Sequence, residues 1–426
     1  MTAAVLFGSF ALLLLLSVPI GIALGLATLL AILYSGTIPL EFLAQGLITS
    51  VDSFPLMAVP FFILAGEIMA RGGVTDRLFN VANALVGNRT GGFAIATVIT
   101  CMFFAAISGS GPATVAAIGG IMIPAMVKHG YDKRFATALV AAAGSLGVII
   151  PPSIPMVIYG VSASASIGGL FVGGIIPGLM IAGALMAYAY YYSRKKGYKG
   201  STEKTSFKHI LQSVWEAKWA LVIPFIILGG IYGGVFTPTE AAVVAVVYSL
   251  LAGFILYREL TIKQLPRVFA DAALTTATIL IIVGSATAFG RLLTIEQIPN
   301  QVADWMLTIS ENKIILILLI TILLLVVGCF MDTLAAIIIL TPILLPIAVT
   351  LGYDPIHFGM IMVVNLAIGF ITPPLGVNLF VGSGISGISI ESLSKAIVPF
   401  FLVMVLTLFI LVFVPRLTLY LVELRG

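Results

Sequence analysis

Long apolar stretches follow one another along the whole chain, separated by short polar clusters and by glycines and prolines. Residues 314–327 and 400–414, with their flanks, are examples of runs long enough to cross a bilayer, which takes about 20 apolar residues in a helix. The pattern predicts an all-α polytopic membrane protein. The densest polar cluster is "RKKGYKGSTEKTSFKH" at 194–209, and it divides the chain into two halves of similar layout. A first unit is predicted at 1–193, a cytoplasmic linker at 194–216 and a second unit at 217–426.

Each half reads as two spans, a short amphipathic segment (39–50; 261–270) and a third span. The first spans, within 1–54 and 217–257, are assigned to a scaffold. A re-entrant hairpin follows in each half (92–128; 312–350), its tip marked by the polar or small residues of "SGSGPAT" and "GCFMDT" inside apolar runs. Then come a helix broken by paired prolines (134–162; 356–384) and a last span (169–192; 396–415). Two complete spans joined by a short loop would fit the length of each hairpin as well.

The halves repeat one another in detail. Pro151–Pro152 match Pro373–Pro374, Gly147 matches Gly369, and Gly130–Tyr131–Asp132 match Gly352–Tyr353–Asp354, all at an offset of 222 residues. Pro124 with Pro346 and Pro177 with Pro399 keep the same offset. Upstream, Gly109 with Gly328 and Thr114 with Thr333 give 219, which predicts a three-residue insertion near position 340. The loop at 128–134 carries Lys128, Lys133 and Arg134 and is assigned to the cytoplasm, whereas its equivalent at 350–357 has no Lys or Arg. Equivalent loops on opposite sides mean inverted repeats.

Composition narrows the class further. The chain is 60% hydrophobic and 9% charged, against about 25% charged in soluble proteins. Its net charge of +4 comes mostly from basic loops, which orient a membrane protein and do not imply nucleic acid. The first apolar run lacks a basic leader and a small-residue cleavage site, so it reads as a first span. Cys101 and Cys329 lie in apolar segments and suggest neither a disulfide framework nor a transition-metal site. No phosphate-binding loop or metalloprotease motif is present, so ATP hydrolysis and enzyme chemistry are not expected.

The paired prolines carry the candidate chemistry. Proline has no N–H, so Pro151 and Pro152 free the carbonyls of Gly147 and Val148, and Pro373 and Pro374 free those of Gly369 and Phe370. Unpaired carbonyls inside a membrane are costly unless something else meets them. A cation does so, helped by the negative end of the half-helix. The hairpin tips are expected opposite the breaks, offering Ser108 and Ser110 in one half and the Gly328 carbonyl near Asp332 in the other. Carbonyls and hydroxyls suit a hard cation, and two sodium sites are expected. Arg291 follows an apolar run and either clamps a carboxylate or snorkels to the interface. Asp332 either caps a helix or tunes the ion site. Ser153, Thr372 and Asn378 flank the breaks, where they touch a ligand or bond their own backbone. Asp52, Glu240, Asp271 and Asp304 sit at span ends and read as structural, and His129 as solvated.

The motifs "GSGPATVAAIG", "GVIIPPSIPMVIYG", "GVFTPTEAA" and "ITPPLGVNLF" resemble the large membrane subunit of tripartite ATP-independent periplasmic (TRAP) transporters, nearly end to end. The resemblance implies an elevator mechanism and sodium-coupled uptake of an organic acid anion across the bacterial inner membrane. Sialic acid is the favoured substrate, with C4-dicarboxylates and other sugar acids as alternatives. It also implies two partners, a separate small four-helix membrane subunit and a soluble periplasmic substrate-binding protein. Carried over, the ion positions fall on Ser108, Ser110, Gly147, Pro152, Gly328, Gly369 and Thr372, and the substrate positions on Arg291 and Asp332. No cofactor is implied beyond sodium as coupling ion. The rival readings are a stand-alone sodium/dicarboxylate symporter and, remotely, an intramembrane protease.

Overall fold

The computed structural model describes residues 1–36, 38–198, 200, 206–310 and 312–424. Among these, all regular structure is helical. The first half contains α1 (Thr2–Leu15), α2 (Ile20–Ser35), α3 (Glu41–Thr49), α4 (Ala58–Arg71), α5 (Val74–Val86), α6 (Gly92–Ser108) and α7 (Gly111–Lys128). A helix interrupted twice follows as α8 (Lys133–Gly144), α9 (Leu146–Ile149) and α10 (Ile154–Ala163), and α11 (Ile167–Lys196) closes the half. The second half contains α12 (Phe207–Tyr232), α13 (Pro238–Leu251), α14 (Leu265–Ile295), α15 (Ile298–Ile309), α16 (Lys313–Phe330) and α17 (Thr333–Thr350). Its broken helix is α18 (Pro355–Gly369) and α19 (Val377–Ser386), followed by α20 (Ile390–Phe413) and α21 (Arg416–Glu423). Nine helical stretches among the described residues are long and apolar enough to cross a membrane.

Both hairpins form where glycine or polar residues interrupt an apolar run. The α6–α7 turn needs Gly109, whose φ of +62° favours a residue without a Cβ. Ser110 then caps α7 by accepting a hydrogen bond from the Ala113 N–H (3.4 Å), and Asp332 caps α17 by accepting one from Leu334 (2.9 Å). α7 and α17 are each 18 residues long and start 222 positions apart. The three-residue insertion expected near 340 is therefore absent. The 219 offset arose from chance matches among abundant Gly and Ala, whereas the helix caps set the register.

The two halves run in opposite directions. The start of α8 lies beside the end of α11, where Tyr198 Oη accepts a hydrogen bond from the Asp132 N–H (3.0 Å). Lys128, Lys133, Arg134 and Arg194–Lys196 gather at this end, which the positive-inside rule assigns to the cytoplasm. The start of α18 lies at the other end, where the Tyr159 hydroxyl of α10 donates to the Pro355 carbonyl (2.7 Å). Asp132 and Asp354 cap these opposed helices alike, accepting from Arg134 (2.8 Å) and Ile356 (2.7 Å).

Two sequence expectations are corrected. Residues 261–270 do not form a separate amphipathic segment; most of them are the beginning of the 31-residue α14. In the first half the corresponding stretch is interrupted between α3 and α4, where Pro55 starts a short 3-10 turn, and Pro60 lies in the first turn of α4. In the second the only proline is Pro266, in the first turn of α14, where it is tolerated. The linker at 194–216 is also shorter than expected. α11 continues to Lys196, and α12 starts at Phe207 after a Ser206 cap. Positions 199 and 201–205 lie outside the described residues.

Candidate functional site

Each hairpin tip meets a helix break. At the first, a Cβ built on Gly147 would lie 2.3 Å from the Ser110 carbonyl oxygen and 2.6 Å from Thr114 Oγ1. Only glycine lets α9 approach the tip this closely. The tip is organised by hydroxyls. Thr114 donates to the Ser110 carbonyl (2.8 Å), and the Ser108 and Thr114 hydroxyls share a bond of 3.1 Å. Ile154 N–H donates to the Gly109 carbonyl (3.3 Å), tying the tip to the far side of the break. Pro152 is buried there, and its carbonyl faces Gly109.

At the second break the backbones themselves meet. A Cβ on Gly369 would lie 2.4 Å from the Gly328 carbonyl oxygen. The Leu375 N–H donates to the Cys329 carbonyl (3.4 Å), and the Thr372 hydroxyl to Ile368 (2.8 Å). Residues 373–375 are exposed, whereas 151–153 are buried, so the protein encloses the first break more fully than the second. Both proline pairs are joined by cis peptide bonds.

The four freed carbonyls are not equivalent. The Val148 carbonyl accepts the Ser153 hydroxyl (2.6 Å), Gly369 accepts the Thr372 N–H (3.0 Å) and Phe370 accepts the Asn378 N–H (3.0 Å). Among the described residues only the Gly147 carbonyl has no such donor. Each engaged carbonyl retains a second lone pair. Ser153 also caps α10 through the Met156 N–H (3.4 Å), so its hydroxyl is occupied on both sides.

Asn378 links the two halves. It is fully buried, and its Nδ2 donates to the Ala141 carbonyl (3.0 Å) and to Ser145 Oγ (3.3 Å) on the first broken helix. Its Oδ1 is buried without a hydrogen-bond partner and faces Gly111.

Two cavities lie along α10, α14 and α17. A central one of about 370 Å³ lies between the tips and is lined by Ser110, Asp332 and Thr333 together with Thr275 and Thr278 of α14. Asp332 is its one charged lining residue. The second, of about 360 Å³, is lined by Arg291, Thr287 and Thr294 of α14, Ser162 of α10 and Ser50 and Ser53 near α3. By helix rise the two are roughly 10 Å apart along α17, from Thr333–Leu334 to Ile338–Pro342. Arg291 and Asp332, paired in the sequence reading, therefore line separate cavities. Thr114, Ser145, Thr275 and Thr278 were not singled out as site residues. Their signal is faint, since Thr275 and Thr278 also bond their own helix backbone (3.0 Å each). Glu240 belongs to a capping box with Thr237, as its "FTPT" context suggested.

Comparison with known proteins agrees with this architecture. Residues 7–417 match the family described as "Tripartite ATP-independent periplasmic transporter, DctM component". The isethionate TRAP transporter permease protein DctMQ of Oleidesulfovibrio alaskensis is 55% identical over 98% of this chain, which spans 66% of that longer relative. The C4-dicarboxylate TRAP transporter large permease protein DctM of Rhodobacter capsulatus is 40% identical over the full length of both. The sialic acid TRAP transporter large permease protein SiaM of Vibrio cholerae is 39% identical over 95% of each chain. The YdaH transporter of Alcanivorax borkumensis shares the fold at 17% identity, with a TM-score of 0.63 over 88% of each chain. These relatives are transporter permeases and not enzymes. The chain belongs to the DctM family, as a TRAP-transporter large permease and a multi-pass protein of the bacterial inner membrane.

Proposed function

We propose that this chain carries a small organic acid anion inward, coupled to sodium, by an elevator motion in which the tips and broken helices move together against the remaining helices. The observation that carries the reading is the pairing of each hairpin tip with a proline break, Ser110 on Gly147 and Gly328 on Gly369. Both junctions are rich in carbonyl and hydroxyl oxygens, which is the chemistry of a hard monovalent cation, although the Cys329 thiol lies beside Thr372 at the second. Discontinuous helices meeting near mid-membrane are the construction expected of an alternating-access site. A small four-helix membrane subunit and a periplasmic binding protein complete the transporter in this reading, as the family assignment implies.

The names of the relatives order the candidate substrates. Isethionate comes first, because the isethionate permease is 55% identical, and C4-dicarboxylates and sialic acid follow. All are anions that the Arg291 guanidinium can hold through two parallel hydrogen bonds. The test is uptake into liposomes containing the chain and its small subunit, with a candidate binding protein outside. Uptake that needs both the binding protein and an inward sodium gradient supports the proposal. Uptake by this chain alone identifies a stand-alone symporter, and uptake that follows a proton gradient and ignores sodium overturns the ion assignment.

A further inference from the structure

We infer that the cytoplasmic end carries a binding site for a phosphate-bearing anion, filled by the headgroup of an acidic phospholipid. A cavity of about 320 Å³ opens there between α8, α11 and α20, with Arg134 and Lys395 on its walls and Tyr188 and Tyr192 beside them. Among the described residues neither basic side chain forms an ion pair. Asp132, the acid in the same cavity, is turned to the start of α8, where it accepts the Arg134 and Phe135 N–H groups at 2.8 and 3.0 Å. Two free cations thus face a space large enough for a phosphate group.

The surroundings favour a lipid over a soluble ion as the source. Lys395 stands at the head of one face of α20 that continues through Val398, Leu402 and Leu406, which are 49%, 53% and 65% exposed. That face gives an acyl chain an apolar path below the headgroup. Tyr188 and Tyr192 supply the amphipathic rings typical of the membrane interface. Basic pockets between helices on the cytoplasmic side are established headgroup sites, and the inner leaflet is the anionic one. The fold contains its own comparison. At the opposite end, a cavity of about 530 Å³ beside α11 places Ile356 at the repeat position of Arg134 and has no charged lining residue. Of the two cavities, only the one at the end that faces acidic lipid has basic lining residues.

The test uses the full chain, purified in dodecyl maltoside with any membrane subunit that accompanies it. Thermal unfolding is followed while phosphatidylglycerol, phosphatidylcholine or inorganic phosphate is added. Phosphatidylglycerol should stabilise the wild type, and Arg134→Gln with Lys395→Gln should weaken its apparent affinity roughly 25-fold, as expected for losing two basic contacts to an anionic lipid. The charge-conserving pair Arg134→Lys with Lys395→Arg should keep the response, which separates a lost site from a damaged fold. Equal stabilisation by inorganic phosphate and phosphatidylglycerol would keep the phosphate site but make the soluble ion its source. Equal responses to phosphatidylglycerol and phosphatidylcholine, or an unchanged response in the double Gln variant, would overturn the inference.

Discussion

Adding a single methyl group at either break tests the ion reading most directly. In Gly147→Ala the new Cβ would sit 2.3 Å from the Ser110 carbonyl oxygen, and in Gly369→Ala 2.4 Å from that of Gly328. Even a tight contact of 3.0 Å requires the tip to retreat by 0.7 Å (3.0 − 2.3) in the first case and 0.6 Å (3.0 − 2.4) in the second. The nearest obstructing atom is a backbone carbonyl oxygen in each case, so moving a side chain (Thr114 Oγ1 also lies 2.6 Å away at Gly147) cannot by itself relieve the clash. Binding constellations tolerate about 0.5 Å of displacement, and overpacking costs about 1–3 kcal/mol. If that cost falls on the ion-bound state, the sodium concentration for half-maximal uptake rises about 5- to 140-fold. The assay is the sodium dependence of uptake, paired with sodium-dependent thermal stabilisation. Gly120→Ala on α7 and Gly183→Ala on α11 are the controls, since a Cβ at either meets nothing within 4 Å. They should leave sodium dependence unchanged and stabilise their helices slightly. Both break variants unfolding earlier with wild-type sodium dependence would refute the reasoning, because the junctions would then be packing contacts only.

Three further outcomes are expected. If Arg291 clamps the substrate, Arg291→Lys should impair uptake nearly as much as Arg291→Ala, by roughly 2–5 kcal/mol in binding, because lysine keeps the charge and loses the fork; wild-type uptake by the lysine variant would make Arg291 a snorkelling side chain. A cysteine replacing Lys133 should react only with reagent on the cytoplasmic side and one replacing Asp354 only on the periplasmic side, and labelling of both from one side would reject the inverted orientation. Asp332→Asn keeps an N-capping oxygen for Leu334, so thermal stability should change by less than about 1 kcal/mol, while the lost charge weakens sodium-dependent stabilisation; a large stability loss with intact sodium response would make the carboxylate purely structural.

Much of the fold was legible because membrane helices leave coarse signals. Apolar runs marked the spans, and the matched proline pairs marked both breaks at their places in the chain. The tip–break contacts were foreseen from the same residues, because a freed carbonyl and a nearby glycine have few uses inside a membrane. What failed had local causes. The 219 offset came from matching small residues in a composition rich in them, while the true register rests on two caps of different chemistry, Ser110 and Asp332. The expected linker read as polar because the first turns of α12 place Lys208, His209, Gln212 and Glu216 among Phe207, Leu211 and Trp215. For Ser153 the sequence left open a ligand contact or a bond to its own backbone, and the structure shows the second, since sequence shows which carbonyls proline frees but not which hydroxyl turns back to them. Asn378 was placed beside the second break, yet its side chain serves the first broken helix, a contact that only the antiparallel packing of the halves creates.

The separation of Arg291 from Asp332 bears on how a single anion is handled. The guanidinium and the carboxylate line different cavities, whose middles are roughly 10 Å apart along α17, so in this conformation they face different spaces. The central cavity has a carboxylate and no lining cation, which disfavours an unaccompanied anion and favours a cation beside Asp332. The two residues should therefore affect different measurements. Arg291→Ala is expected to raise the substrate concentration for half-maximal uptake with little effect on sodium-dependent stabilisation, and Asp332→Asn the reverse. Their effects on binding should add within about 0.5 kcal/mol, as they do for sites more than about 7–10 Å apart without shared partners. Strong coupling in the double variant would mean that transport passes through a state in which the cavities merge and both side chains reach the same molecule. Additive effects would assign the anion to the Arg291 cavity and the cation to the tips.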